Sequence, residues 1–141
     1  MIDEGRQLEC AKDLVLYRLS RLGVDAGALR AGPHLLARRT GRPVTIQLNV
    51  VESGSRTGRT CEWLIDEVFS ADLVALVDLS SERVWLMTPY EVGELSKLGE
   101  DGKRRLYTYA DPTLDLEKTG HIVFSGDFER YALERQHERI A

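Results

Sequence analysis

Between Asp72 and Leu79 the chain reads DLVALVDL, with five apolar residues in succession from Leu73 to Val77. An alternating pattern suits a strand with one wet face; an unbroken apolar run of this length suits a strand covered on both. SSER follows as a tight turn, and VWLMTP, Val84 to Pro89, reads as the returning arm of a hairpin. A hairpin buried in this way needs layers on either side, and the rest of the chain has to supply them.

One layer is a helix from Asp3 to Leu22. Leu8, Ala11, Val15, Leu19 and Leu22 recur at spacings of three and four, so they form one stripe, with Asp3 placed to cap the start and Gly23 to end it. VDAGALRAGP reads as a connection. His34 to Arg39 reads as a short strand, TGRP as a turn, and Pro43 to Val51 as the next strand. Alternation in that strand puts Val44, Ile46, Leu48 and Val50 on one face and Thr45, Gln47 and Asn49 on the other. ESGSRTGRT reads as an exposed loop and CEWLI as a strand. Pro89 suits the first turn of a helix through YEVGELSKL, RRLYTYA suits a short strand, and DFERYALERQHERI suits a C-terminal helix. That helix would pack through Phe128, Tyr131, Leu133 and Ile140. Its Arg130, Arg135 and Arg139, interleaved with Glu129, Glu134 and Glu138, would form a salt-bridged solvent face. The order of elements predicts one α/β domain over residues 1–141: a mixed central sheet flanked by helices.

Charge and cysteine content narrow the function classes. The formal net charge is −4, which argues against a chain that coats nucleic acid indiscriminately. Yet Arg30, Arg38, Arg39, Arg42, Arg56 and Arg59 fall in one segment whose only acid is Glu52. A basic segment inside an acidic chain is either a solvated face or a surface that meets phosphates. Cys10 and Cys61 match no metal spacing and are expected to be reduced and semi-buried. MIDEGRQLEC has no apolar core of a secretory signal, and no stretch is long and apolar enough to span a membrane, so the expected location is the cytoplasm. Trp85 is expected in the core and Trp63 on a partly wet strand, and His121 and His137 are expected at the surface.

Taken together, EGRQLE and RLG in the first helix, PHLLA, TGRPVTIQLNV, the Gly/Arg loop and ADLVALVDLSSERVWLMTPYEV resemble the PD-(D/E)XK, or restriction-endonuclease-like, superfamily. The similarity is to its small single-domain branch, whose core strand reads Ile-Gln-Val-Lys, and it covers Asp3 to Leu95. It implies a restriction-endonuclease-like mixed sheet and a cleft in which acids and a backbone carbonyl hold Mg²⁺ while a Lys stabilises charge on the phosphate. Carried over by position, the supporting helix Glu falls on Glu9, the Asp on His34, the Glu or Gln on Gln47 and the Lys on Asn49.

Two of those types have changed. An imidazole stands where a carboxylate should grip a hard cation, and a neutral amide stands where an ammonium should be. The expectation is therefore a catalytically degenerate nuclease-fold protein without a cofactor, which keeps weak binding to double-stranded DNA through Arg38, Arg39, Arg42, Arg56 and Arg59. One alternative is a noncatalytic, homo-oligomeric interaction subunit. Another is an active Mg²⁺-dependent endonuclease with displaced ligands, drawn from Glu52, Glu62, Asp66 and Glu67, with Arg38 or Arg56 in place of the Lys.

Overall fold

The computed structural model describes residues 4–29, 32–39, 42–51, 56–57, 60–66, 71–109 and 129–140. Helix α1, Glu4–Arg21, comes first and buries Ala11, Val15 and Leu19 completely, with Leu8 and Leu22 half-buried beside them. This is the stripe that its spacing predicts. Lys12 is also buried, which the apolar pattern does not announce; its ammonium lies 3.7 Å from the exposed carboxylate of Glu9. Cys10 is exposed rather than semi-buried, because it projects away from the stripe.

Five strands form the main sheet: β1 (Ala26–Ala28), β2 (His34–Arg39), β3 (Arg42–Val51), β6 (Leu73–Asp78) and β7 (Arg83–Met87), in that spatial order. The β3–β6 pair is parallel and the others are antiparallel, so the sheet is mixed and the predicted class holds. All six residues of β6 are buried, as its unbroken apolar run requires. Asp72 anchors its start: the carboxylate accepts the Thr45 N–H at 3.0 Å, and the Asp72 N–H donates to the Thr45 hydroxyl at 3.1 Å.

A second sheet, absent from the sequence-based expectation, packs on part of the first. It holds β4 (Arg56–Thr57), β5 (Thr60–Asp66), β9 (Lys103–Tyr109) and β8 (Lys97–Leu98), in that order. Trp63, Ile65 and Leu106 from this sheet cluster with Val74, Leu76, Trp85 and Met87 of the main one. The two indoles meet edge to face at 5.9 Å and 86°. Trp63 is thus core, not partly wet, because the second sheet closes over it.

Three other expectations change. The Gly- and Ala-rich connection contains β1, which pairs Ala26 with Ala37 and Ala28 with Leu35. The polar loop supplies β4 and the first residue of β5. The C-terminal helix is broken: a 3-10 turn at Glu129–Tyr131, a short α3 at Leu133–Gln136 and another 3-10 turn at His137–Arg139. Tyr131, Leu133 and Ile140 are buried as expected, but the charges pair with other elements rather than along one helix. Arg139 forms a bidentate pair with Glu91 of α2 (Pro89–Leu95), and Glu134 lies 3.5 Å from Arg18 of α1. Tertiary partners set the break, since a single turn of helix has little stability of its own. Asp3, Phe128, His121 and Arg30 lie outside the described residues.

Candidate functional site

The two faces of the main sheet differ in chemistry. On one, Leu35, Ala37, Val44, Ile46, Leu48, Leu73, Ala75 and Val77 pack under α1. On the other, the alternation places His34, Leu36 and Arg38 of β2 beside Gln47, Thr45 and Pro43 of β3. The β6–β7 half of this second face is apolar and covered by β5 and β9. The β2–β3 half carries the polar set.

His34 is the first residue of β2 and pairs with Gln47. Just before it, the Leu48 N–H donates to the Pro33 carbonyl at 2.7 Å. The chain then leaves, so β3 continues through Asn49 to Val51 with β6 as its neighbour on one side and no β2 residue on the other. A cleft of about 310 Å³ opens where β3 outruns β2. Gln47, Leu48, Asn49 and Val50 form its floor, Gln7 and Leu8 of α1 and Pro33 its walls, and Leu64 of β5 closes the side. Leu64 alternates with the buried Trp63 and Ile65, which is why it faces outward and is half exposed.

The structure brings together three of the four residues singled out for the cleft. His34 and Gln47 are cross-strand partners, and Asn49 lies two residues farther on the same face, a diagonal neighbour of His34 at about 7 Å by sheet geometry. Gln47 is nearly buried at 9 % exposure. His34 Nε2 and Asn49 Nδ2 are buried without a hydrogen-bond partner among the described residues. An unsatisfied buried polar group costs about 1–3 kcal/mol, so two in one place are unusual. Glu9 does not line the cleft; it turns toward Lys12, and Gln7 takes the position on the cleft side of α1. No spacing rule marks Gln7, which lies one turn before the core residue Ala11. Leu64 shows only as the outward member of an alternating strand.

The predicted basic segment separates. Arg38 is exposed on the His34 face of β2, 3.9 Å from Asp25. Arg42, across from Arg39 at the end of the β2–β3 hairpin, lies 3.7 Å from Asp72. Arg56 is placed in β4 of the second sheet, opposite Cys61. The side chains of Arg39 and Arg56 lie outside the described residues, as do Arg59, Glu52 and Glu67 and the side chains of Glu62 and Asp66. Among the described residues, no group of three or more His, Cys, Asp or Glu side chains converges to hold a metal ion. Nor, among them, is any helix long and apolar enough to cross a membrane.

No family model and no curated protein matches the chain. Among solved structures, it is similar to the bacterial homing endonuclease I-Ssp6803I: the match covers 99% of this chain and 93% of that one, with a TM-score of 0.62 and 13% sequence identity. At that identity the likeness shows the fold alone, and the fold is nuclease-like: a mixed five-stranded sheet flanked by helices.

Proposed function

We propose that this chain is a single-domain nuclease-fold protein of the PD-(D/E)XK type that holds duplex DNA weakly and does not cut it. The observation that carries the reading is the chemistry of the cleft at the start of β2. The neutral amide of Asn49 lines it where the fold type carries an ammonium, and an imidazole, His34, stands on the neighbouring strand where that type carries a carboxylate. A hard cation such as Mg²⁺ takes oxygen ligands, usually with one or two carboxylates among them. The described lining residues offer the amides of Gln7, Gln47 and Asn49 and no carboxylate. They do not fit the metal that the fold type implies. Without it, polarisation of a phosphodiester and generation of hydroxide lose their agent.

Retention of DNA binding is supported by the placement of Arg38. It shares a face with His34, four residues along β2, or about 13 Å at 3.3 Å per residue. At that separation the cleft and Arg38 can meet different phosphates of one duplex. Asp25 and Asp72 beside Arg38 and Arg42 partly neutralise this end, which makes the affinity low.

The test pairs two measurements on the purified chain. Plasmid and linear DNA incubated with Mg²⁺ or Mn²⁺ stay intact, and a labelled duplex at low salt gives a saturable rise in anisotropy that falls steeply as salt is added. Cleavage that Gln47→Ala abolishes would establish the displaced-ligand enzyme instead. A flat anisotropy titration at low salt would remove DNA as the partner.

A further inference from the structure

A hollow of about 460 Å³ opens between the C-terminal half of α1, the β6–β7 turn and Glu134 of the C-terminal segment. None of its lining residues belongs to the cleft at the start of β2. Two charges of opposite sign face this hollow and stay apart. Arg21 and Glu82 both line it and are both exposed, yet neither makes an ion pair with the other or with any described residue. Arg21 is held instead by Tyr17: its guanidinium lies 5.7 Å from the ring centre and donates to the hydroxyl at 3.1 Å. Glu82 sits at a φ of 56°, in the left-handed region that favours glycine or asparagine. A carboxylate kept at a strained turn position, with no partner among the described residues, directs attention to a partner outside the chain. Tyr17, 59 % exposed, adds a large ring beside the same hollow.

We infer that this face docks onto the same face of a second copy of the chain. A closed two-fold contact needs a self-complementary patch, in which one residue meets a second residue of the other copy and the second meets the first in return. A hollow that carries both signs of charge, with an exposed ring beside it, meets that need. Arg21 of one copy pairs with Glu82 of the other, twice, and each Tyr17 enters the hollow opposite. Arginine and tyrosine are also the side chains that most often anchor protein interfaces. A nucleic acid is the poorer occupant, because the carboxylates of Glu82 and Glu134 line the hollow beside the arginines and repel phosphate. A contact built on one hollow per copy lies at the small end of interfaces, so the dimer dissociates on dilution.

Sedimentation velocity of the full chain without DNA, over a range of protein concentrations, tests it. The natural chain is expected to move from monomer toward dimer as concentration rises, and back toward monomer as salt screens the exposed pairs. Arg21→Glu and Glu82→Arg, checked for folding by circular dichroism, each set like charges against one another at both contacts and are expected to stay monomeric over the same range. An equimolar mixture of the two variants restores opposite charges at both contacts and is expected to dimerise again, as is the chain that carries both substitutions. Tyr17→Ala is expected to weaken association at least about tenfold, the scale of an interface anchor. A natural chain that stays monomeric throughout, or a dimer that neither charge variant weakens, overturns the inference. Dimers lost in both variants and not regained in the mixture overturn the reciprocal pairing of Arg21 with Glu82. Each of these results leaves the DNA reading, measured separately, untouched.

Discussion

His34, the first residue of β2, stands directly opposite Gln47, beyond which β3 runs on with β6 as its neighbour. Asn49, two residues farther on the same face as Gln47, lines the cleft with it. The pairing points to what has to change for this place to hold a cation: a carboxylate at position 34, beside the amide oxygen of Gln47.

The variant His34→Asp is therefore expected to bind Mn²⁺ more tightly than the natural chain. Titration calorimetry should place its affinity at least about tenfold above that of the natural chain, since a carboxylate supplies the oxygen ligand a hard cation needs. Equal affinities would show that the metal preference is set elsewhere.

Contact with duplex DNA should depend on Arg38 and Arg42. Arg38→Ala and Arg42→Ala are each expected to lower affinity and to reduce the slope of log affinity against log salt by up to about 0.9, one released counterion apiece. Asp25→Asn and Asp72→Asn should act in the opposite direction, because they remove the acids 3.9 and 3.7 Å from those guanidinium groups. Anisotropy titrations at several salt concentrations measure all four.

Arg139 clamps the C-terminal segment to α2. Its guanidinium donates twice to Glu91, through Nη1 to Oε1 and through Nη2 to Oε2 at 2.9 Å. Glu91 also completes a capping box, accepting from the Thr88 N–H at 2.9 Å while its own N–H donates to the Thr88 hydroxyl at 3.1 Å. The Arg139 hydrogen bond, reinforced by Thr88 and opposed by burial, lowers the Glu91 pKa from its usual 4.5. A lowered carboxylate contributes stability that is fully present above the unfolded value of 4.5 and is lost as pH falls through the folded value below it. Arg139→Ala should cost about 1–3 kcal/mol at neutral pH and flatten the acid side of the stability curve, as read by urea unfolding from pH 7 to pH 3.

Asp78 ends the central strand and is 2 % exposed as a residue. It accepts from the Ser80 N–H at 3.1 Å, the Ser80 hydroxyl at 2.8 Å and the Ser81 hydroxyl at 2.9 Å, and so ties the β6–β7 turn to the sheet. Asp78→Ala should destabilise by about 1–2 kcal/mol, because three hydrogen bonds to a charged acceptor are lost while the exposed Ser80 and Ser81 turn to water. A shift below about 0.5 kcal/mol in the urea midpoint would mean that the turn holds itself.

Trp63 joins the two sheets through its edge contact with Trp85. Trp63→Ala should cost about 3–5 kcal/mol, the range for deleting a large buried ring. The emission of the remaining Trp85 should move toward the red as water reaches its face, while Trp63→Phe keeps most of the stability.

Much of this architecture is written locally. The period of Leu8 to Leu22 fixes the buried stripe of α1, the unbroken run in Leu73–Asp78 requires cover on both faces, and Pro89 behind Thr88 starts α2. Alternation in β3 also assigns Gln47 and Asn49 to one face in advance, and with them the chemistry of the cleft.

What the local pattern leaves open depends on partners distant in the chain. The second sheet pairs Thr60–Asp66 with Lys103–Tyr109, some forty residues away, and only that pairing buries Trp63. The C-terminal segment has helix-forming residues throughout, yet Arg139 answers to Glu91 and Glu134 to Arg18, so it breaks into short turns that satisfy those contacts. Glu9 and Gln7 differ by two positions on one helix, and it is the docking of α1 that turns Gln7 into the cleft and Glu9 toward Lys12. The sequence determined which side chains share a strand face or a helix stripe, because those periods are properties of the backbone. Which faces meet, and therefore which polar side chains line the cleft, was decided only when the layers packed.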